Sequence, residues 1–305
     1  MIQGFNDLPV NQTPLRAAVP GAYDRNTLMS LERSRREDNL TSILIGNRLK
    51  IESMCSELDI DTTLYRMEEA HEEHTICRKA IDLCNDGEAD ILVKGMVSSP
   101  SYLAAILEDN RSHGIKRFVN QLWIFEYPRA NKLLVMSDGA LIIAPDLMEK
   151  KHIIENCVEF CHKLGIPQPR VAVLAPLEKV NPRIPSSVDA ALLNVMHQRG
   201  QIGGCLVEGP LALDNALSAE AMEQKSIQGK FRECADILVV PGLDTGNVMG
   251  KSFTCVANLR SASLLWGTRI PSVISSRSGS VESKFLSIRL AAYIITHTER
   301  KTQAY

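Results

Sequence analysis

The 305-residue chain lacks the patterns on which several common chemistries depend. None of its eight cysteines, Cys55, Cys77, Cys84, Cys157, Cys161, Cys205, Cys234 and Cys255, forms a C-x-x-C pair. That excludes the usual zinc and dithiol-redox spacings and points to reduced thiols packed as small core residues. Cys157 and Cys161 lie four apart on an expected helix and, without two further ligands, read as packing. No G-x-S-x-G elbow is present, which argues against an α/β-hydrolase triad, and no G-x-G-x-x-G follows a strand, which argues against a dinucleotide site. Basic residues are not in surplus: 34 Lys and Arg face 36 Asp and Glu, a formal net charge of -2, so no nucleic-acid partner is expected. No apolar run approaches bilayer length, and Met1-Ile2-Gln3-Gly4-Phe5-Asn6 lacks the basic start and apolar stretch of a signal peptide. The expectation is a cytoplasmic protein with no membrane association.

What is present suits an ordinary globular protein, 45% hydrophobic and 23% charged, with length enough for one large or two medium domains. Strand-like runs at 42–45, 90–93, 118–125, 133–136, 171–174, 204–207, 236–240 and 272–274 alternate with amphipathic segments at 48–58, 68–84, 150–164, 186–197 and 281–296. That alternation predicts an α/β fold of mostly parallel sheets with helical crossovers. The first twenty residues and the last five look loosely held. One internal echo stands out: Ala89-Asp90-Ile91-Leu92-Val93 recurs letter for letter as Ala235-Asp236-Ile237-Leu238-Val239, and each copy opens into a glycine-containing loop. Strand ends of this kind are where open α/β sheets take ligands, so the echo suggests two lobes; chance recurrence of apolar letters is the competing reading.

Four stretches bear chemistry. Val273-Ile274 empties into Ser275-Ser276-Arg277-Ser278-Gly279-Ser280 ahead of a helix, which is either an oxyanion trap or an N-capping serine turn with a solvated Arg. Gly246-Asn247-Val248-Met249-Gly250-Lys251-Ser252 resembles a shortened P-loop, but the position that needs the first glycine is Thr245. Asn247 and Lys251 remain candidate anion ligands, against an exposed polar turn. His71-Glu72-Glu73-His74 lacks the spacing that sets two His one helical turn apart, and reads as the acidic start of a helix rather than a metal site. Glu208-Gly209-Pro210-Leu211-Ala212-Leu213-Asp214-Asn215-Ala216 follows a strand ending at Val207 and reads as a rigid turn, with Asp214 and Asn215 free to cap a helix or bond a ligand.

In this order, from about Leu40 to Thr296, these pieces resemble the phosphate acetyltransferases and phosphate butyryltransferases, with the butyryl branch nearest. The likeness adds Ile43-Leu44-Ile45-Gly46, Asp90 to Met96, Ser137-Asp138-Gly139-Ala140, Pro145-Asp146-Leu147 and Gln198 to Gly204 to the stretches above. The resemblance implies a two-domain fold like that of isocitrate and isopropylmalate dehydrogenases. A first domain of 1–127 and 266–305 and a second of 128–265 would have an active-site cleft between them, with crossings near Tyr127-Pro128 and Trp266-Gly267. It implies a homodimer, coenzyme A and acyl phosphate as substrates, and no metal. Ser276 and Arg277 are the catalytic pair it places on the phosphoryl group, and Lys94, Gly95, Arg117, Asp214, Asn215, Asn247 and Lys251 the substrate-binding set. The chain departs from the family in three places. Gly279 stands where relatives carry an acidic residue, leaving Glu282 as the nearest substitute base. Ala104 replaces a phosphate-binding Arg, with Arg111 or Arg117 as replacements, and Val97-Ser98-Ser99 replaces Val-His-Thr. A weakened family member that binds coenzyme A or a phosphorylated ligand as a regulator is the alternative to an active enzyme.

Overall fold

The computed structural model describes residues 2–227, 229 and 233–302, with side chains as far as His297. Two compact units divide the chain: Leu8–Val119 with Ala262–Tyr305, and Met1–Asp7 with Asn120–Ser261. The first unit begins with β1 (Leu15–Pro20), α1 (Arg25–Asp38), β2 (Leu40–Gly46), α2 (Arg48–Glu57), β3 (Arg66–Glu69), α3 (Glu73–Asn85), β4 (Ile91–Val93) and α4 (Ser99–Ser112). β1 pairs parallel with β2 and with β4, and β2 pairs parallel with β3. The chain thus steps outward from β1 to β3 and returns to lay β4 on the other side of β1. Right-handed crossovers therefore put α1 and α2 on one face and α3 on the other. The C-terminal ends of β1 and β4 become a topological switch point.

The expectation of a loose N-terminus is overturned by β1. Ala17, Ala18 and Val19 are fully buried because a central parallel strand is covered on both faces, and its alanines and Pro20 carry little apolar signal. Helix α1 was likewise absent from the expected elements. Asp24 caps it by accepting the Thr27 N–H at 2.9 Å, and its buried face is mostly small and polar: Thr27, Leu28, Ser30, Leu31 and Ser34. The Ser30 and Ser34 hydroxyls donate to carbonyls within the helix, so they bury at little cost. The expected helix at 68–84 is shorter, since Arg66–Glu69 pairs with β2 and the helix starts at Glu73 with Glu72 as its cap residue. The acidic helix start read at His71 to His74 is therefore in place.

The second unit comprises β5 (Asn120–Tyr127), β6 (Lys132–Ser137), α5 (Leu147–Lys163), β7 (Arg170–Leu174), α6 (Pro185–Gln198), β8 (Leu206–Leu211), α7 (Leu213–Leu217), α8 (Ala219–Gln224), β9 (Ile237–Val239) and α9 (Leu243–Lys251). Its strand order is β5-β6-β9-β7-β8, with β5 and β6 antiparallel and the rest parallel. Tyr127-Pro128, expected as a crossing, is the turn of the β5–β6 hairpin, and the units divide before β5 instead. The expected turn at Glu208-Gly209-Pro210 is also corrected: β8 runs on to Leu211. A Cβ at Gly209 would lie 2.9 Å from the Val173 carbonyl, and Pro210 is tolerated because β8 is the outermost strand. Cys157 and Cys161 are fully buried on α5, as packing residues.

The chain then completes the first unit with β10 (Ser261–Trp266), β11 (Ser272–Val273) and α10 (Val281–Thr302). β11 lies between β4, to which it is parallel, and β10, to which it is antiparallel. The crossing expected near Trp266-Gly267 is the turn between these last two strands. Helix α10 packs on α1, where Arg289 grips the buried Asp38 carboxylate through two hydrogen bonds of 2.7 and 2.9 Å. No helix among the described residues is long and apolar enough to cross a membrane. The last five residues fall at and beyond the end of the described range.

The repeated pentapeptide proves to be the same device in each unit. Asp90 at the start of β4 donates its N–H to the Arg16 carbonyl (2.7 Å) and accepts the Arg16 N–H on Oδ2 (2.7 Å). Asp236 at the start of β9 does the same with Arg170, at 2.8 and 2.7 Å. Only Asp236 is buried, and it also binds the Arg170 guanidinium (3.0 Å) and the Lys132 ammonium. Asp236→Ala should therefore cost about 3–5 kcal/mol, by stranding the partly buried Lys132 ammonium and leaving Arg170 with Glu233 alone, and Asp90→Ala about 1 kcal/mol. Urea unfolding of both variants checks this, and equal losses would contradict it.

Candidate active site

Three loops meet at the C-terminal ends of β1, β4 and β11 in the first unit. Gly95, just beyond β4, presses on the β1 loop: a Cβ there would lie 2.4 Å from the Gly21 carbonyl and 2.7 Å from that of Pro20. Gly95 and Met96 donate their N–H groups to those same carbonyls, at 3.1 and 2.8 Å. Only glycine permits this approach, and it fixes Lys94 at the head of the loop.

Lys94 is 1% exposed and Lys284, on the first turns of α10, is 3% exposed. Neither ammonium has a carboxylate within ion-pair distance among the described residues. Lys284 donates to Ser275 Oγ at 2.9 Å, and Lys94 has a long contact of 3.4 Å with the Gly95 carbonyl. Burial, with Lys284 and Arg277 alongside as like charges, pulls Lys94 down to about 8. Burial lowers Lys284 as well. The one countercharge acting on both is Asp24, whose Oδ1 caps α1 while Oδ2 is buried without a hydrogen bond.

Arg277 is exposed above these groups and has no hydrogen-bonded carboxylate among the described residues. Its charge reaches Lys94, Tyr23 and Glu73. The N-capping reading of the serine turn holds for one serine. Ser280 caps α10 by accepting the Ser283 N–H (3.1 Å), whereas Ser275 and Ser276 stand ahead of the cap. The turn is closed by the Gly279 N–H donating to the Ser276 carbonyl at 2.9 Å, and Asn26 Nδ2 holds the Gly279 carbonyl at 3.0 Å. Ser276 Oγ shares a hydrogen bond with Ser278 Oγ at 3.0 Å.

Other expected site residues are committed elsewhere. The Glu282 carboxylate, expected as a substitute base, is bound by the Arg33 guanidinium of α1, which spends its charge on helix packing. Arg117 lies beyond the C-terminal end of α4, a helix about 21 Å long that starts at the strand ends carrying Lys94. Neighbouring Phe118 touches Gly267, ahead of β11, so this stretch sits at the opposite end of the strands, and so does Arg111. Ala104 is an exposed helix position on α4. In the second unit, Lys225 binds Asp214 at 2.9 Å, Asn215 Oδ1 at 3.0 Å and Glu178 at 2.7 Å, while the buried Asn215 Nδ2 is left without a hydrogen bond. Asn247 Nδ2 donates to the Gly139 carbonyl at 3.1 Å, and Gly246 packs on the Asp138 carbonyl. The P-loop-like stretch is part of α9 and has no phosphate cradle, with Lys251 exposed at the end of that helix.

Lys284 and Asp24 carry no local motif in the sequence, whereas Ser275 lies within the serine turn. The signal for Lys284 is its place in the buried stripe Lys284, Ile288 and Ala291 of α10, where a charge is out of pattern.

Three cations thus gather at the switch point of an α/β unit, and two of them are buried with no carboxylate in ion-pair range among the described residues. The Phosphate acetyl/butaryl transferase family pattern matches residues 66–292. Phosphate butyryltransferase of Clostridium acetobutylicum is 34% identical over 299 residues, covering 96% of this chain and 99% of its own. Phosphate acetyltransferase of Thermotoga maritima is 34% identical over 277 residues, covering 91% and 94%. A crystal structure of a branched-chain phosphotransacylase from Enterococcus faecalis V583 superposes with TM-score 0.80 at 31% identity, covering 93% of this chain and 99% of that one. The chain belongs to the phosphate acetyl/butyryl transferase family and is by that membership an acyltransferase. Its fold is the isocitrate/isopropylmalate dehydrogenase-like one of the phosphotransacylases.

The lowered Lys94 has a stability signature. Below about pH 8 the group is charged in both states and its burial opposes folding in full. Between about 8 and its ordinary 10.5 the unfolded chain binds more protons, so stability rises with pH. The stability of wild type relative to Lys94→Met should rise by up to about 3 kcal/mol across that window, as read by denaturant unfolding at a series of pH values. A pH-independent difference would contradict the assignment.

Proposed function

We propose that this chain exchanges a short acyl group, butyryl or similar in size, between acyl phosphate and coenzyme A. The observation that carries the reading is the Ser276–Arg277 turn at the end of β11, set above Lys94 and Gly95 at the end of β4. A thiol near its free pKa is mostly protonated at neutral pH, so the attacking sulfur must shed its proton on the way to the carbonyl. A carbon–sulfur bond forms, the carbon–oxygen bond to the phosphoryl group breaks, and the thiol proton ends on the released phosphate. Negative charge grows on the carbonyl oxygen and on the leaving phosphate. Arg277, the Ser276 hydroxyl and the start of α10 are the groups we assign to stabilising it.

Coenzyme A is taken as a substrate rather than a resident cofactor, and the chemistry needs no metal and no covalent enzyme intermediate. Of the second-unit residues, Lys251 is assigned to the phosphates of coenzyme A because its ammonium is exposed. Asp214 and Asn247 are read as scaffold because their partners lie within the chain, and Asn215, whose Nδ2 is buried without a partner, is kept as a substrate-binding residue. A homodimer in the cytoplasm completes the proposal. The reading as a weakened regulator is disfavoured, because relatives along nearly the whole chain are named as enzymes.

Arg277→Ala should lower kcat/KM about 10²–10³-fold without loss of folding, because the side chain is exposed. Glu282→Gln should leave turnover within about threefold and cost under about 1 kcal/mol of stability, as expected for a half-exposed ion pair. Thioester absorbance with butyryl, propionyl and acetyl phosphate measures both. An Arg277→Ala enzyme of wild-type activity would overturn the reading. So would a wild-type chain that is stabilised by these ligands yet turns over none of them.

A further inference from the structure

We propose that Lys284, together with Lys94, forms a buried two-ammonium seat that contacts the phosphoryl group directly, resting on the acyl-transfer reading above. The two side chains come from different elements, the end of β4 and the first turns of α10, and converge on one place. A lysine this deeply buried is ordinarily paired with a carboxylate, because an uncompensated buried charge is costly. Here neither ammonium has such a partner among the described residues. Lys284 uses one N–H on Ser275 Oγ, which leaves two donors, and Lys94 has only its long contact to the Gly95 carbonyl.

The remaining groups facing the seat are Asp24 from the β1–α1 loop, Cys77 from α3, and Ser275 and Arg277 from the turn after β11. Burial pushes the Cys77 thiol up to about 11, so it stays neutral. Asp24 is therefore the one carboxylate acting on both lysines, and it works against the burial that lowers them. Glu73 also lies within range of Arg277, but both its oxygens are engaged, by the Ser98 N–H and the Ser101 hydroxyl. Two adjacent ammoniums that water scarcely reaches match one compact dianion. A phosphate on an exposed nucleotide tail would be met by exposed side chains, which assigns the seat to acyl phosphate, or to inorganic phosphate in the reverse direction, and not to coenzyme A.

The test uses the full chain with inorganic phosphate as the probe. In Lys284→Met and Lys94→Met, the KM for phosphate in the reverse reaction and the calorimetric Kd for phosphate should rise at least about tenfold, while the KM for acyl-coenzyme A stays within about threefold. Because each variant removes an unpaired buried charge, its Tm should equal or exceed that of wild type, as for a site kept at the expense of stability. A phosphate KM that does not move, or a lowered Tm with both KM values rising together, would overturn the seat and reveal a structural lysine. Should the methionine variants fail to fold, wild type decides: its phosphate Kd should weaken steadily above about pH 8, and a flat profile to pH 9.5 would overturn the proposal. Loss of activity in Arg277→Ala alongside unchanged phosphate binding in the lysine variants would leave the acyl-transfer reading standing and remove only the seat. Absence of turnover in wild type with phosphate still bound would do the reverse.

Discussion

Two ammonium groups held away from water, with no carboxylate in ion-pair range among the described residues, are the constraint around which the first unit is arranged. Such charges oppose folding, and a chain normally neutralises them by pairing or by losing the proton. Here the surroundings hold them in position. Gly95 packs against the Gly21 carbonyl, and Ser275 takes one ammonium bond from Lys284. Phe285, Leu286 and Ile288 pin the start of α10 with no exposed surface at all. In the seat we propose, that positive charge is left for the phosphoryl group, and the core carries the cost.

The two units share a device and diverge in its use. An Asp at the start of β4 or β9 clamps both backbone groups of an Arg on the neighbouring parallel strand, which sets the register of each central pair. Beyond β4 the chain delivers a buried lysine. Beyond β9 it delivers Val240-Pro241-Gly242 and the start of α9, against which the Asp138–Gly139 loop is tied by Asn247 and by the close approach of Gly246. The Asp138 carboxylate is turned inward onto the N–H groups of Ala140, Leu141 and Gln121. One repeated strand thus ends in a cluster of cations and the other beside a loop whose Asp138 carboxylate is satisfied by backbone N–H groups.

Much of this could be read beforehand. The α/β alternation, most central strands, the repeated pentapeptide, the Ser276–Arg277 turn and Lys94 were legible because their signals are local: apolar runs, glycine loops and a serine-rich helix start. Strand β1 and helix α1 were not, because alanine, serine and threonine bury well while carrying little periodic hydrophobicity. The end of β8 was misjudged because Gly209-Pro210 ordinarily marks a turn, and only an outermost strand packed tightly on Val173 accommodates it. Glu282 and Arg117 were drawn to the site by closeness in sequence. The fold assigns the first to Arg33 and the second to the far end of the strands. Lys284 was missed for the converse reason: its meaning lies in what the fold fails to put beside it.

The most direct measurement is a crystal structure of the full chain grown with inorganic phosphate. The account predicts one phosphate at the C-terminal ends of β4 and β11, within hydrogen-bond distance of the Lys94 and Lys284 ammoniums and of Arg277. A phosphate bound elsewhere, with carboxylates swung in to pair those lysines, would contradict it.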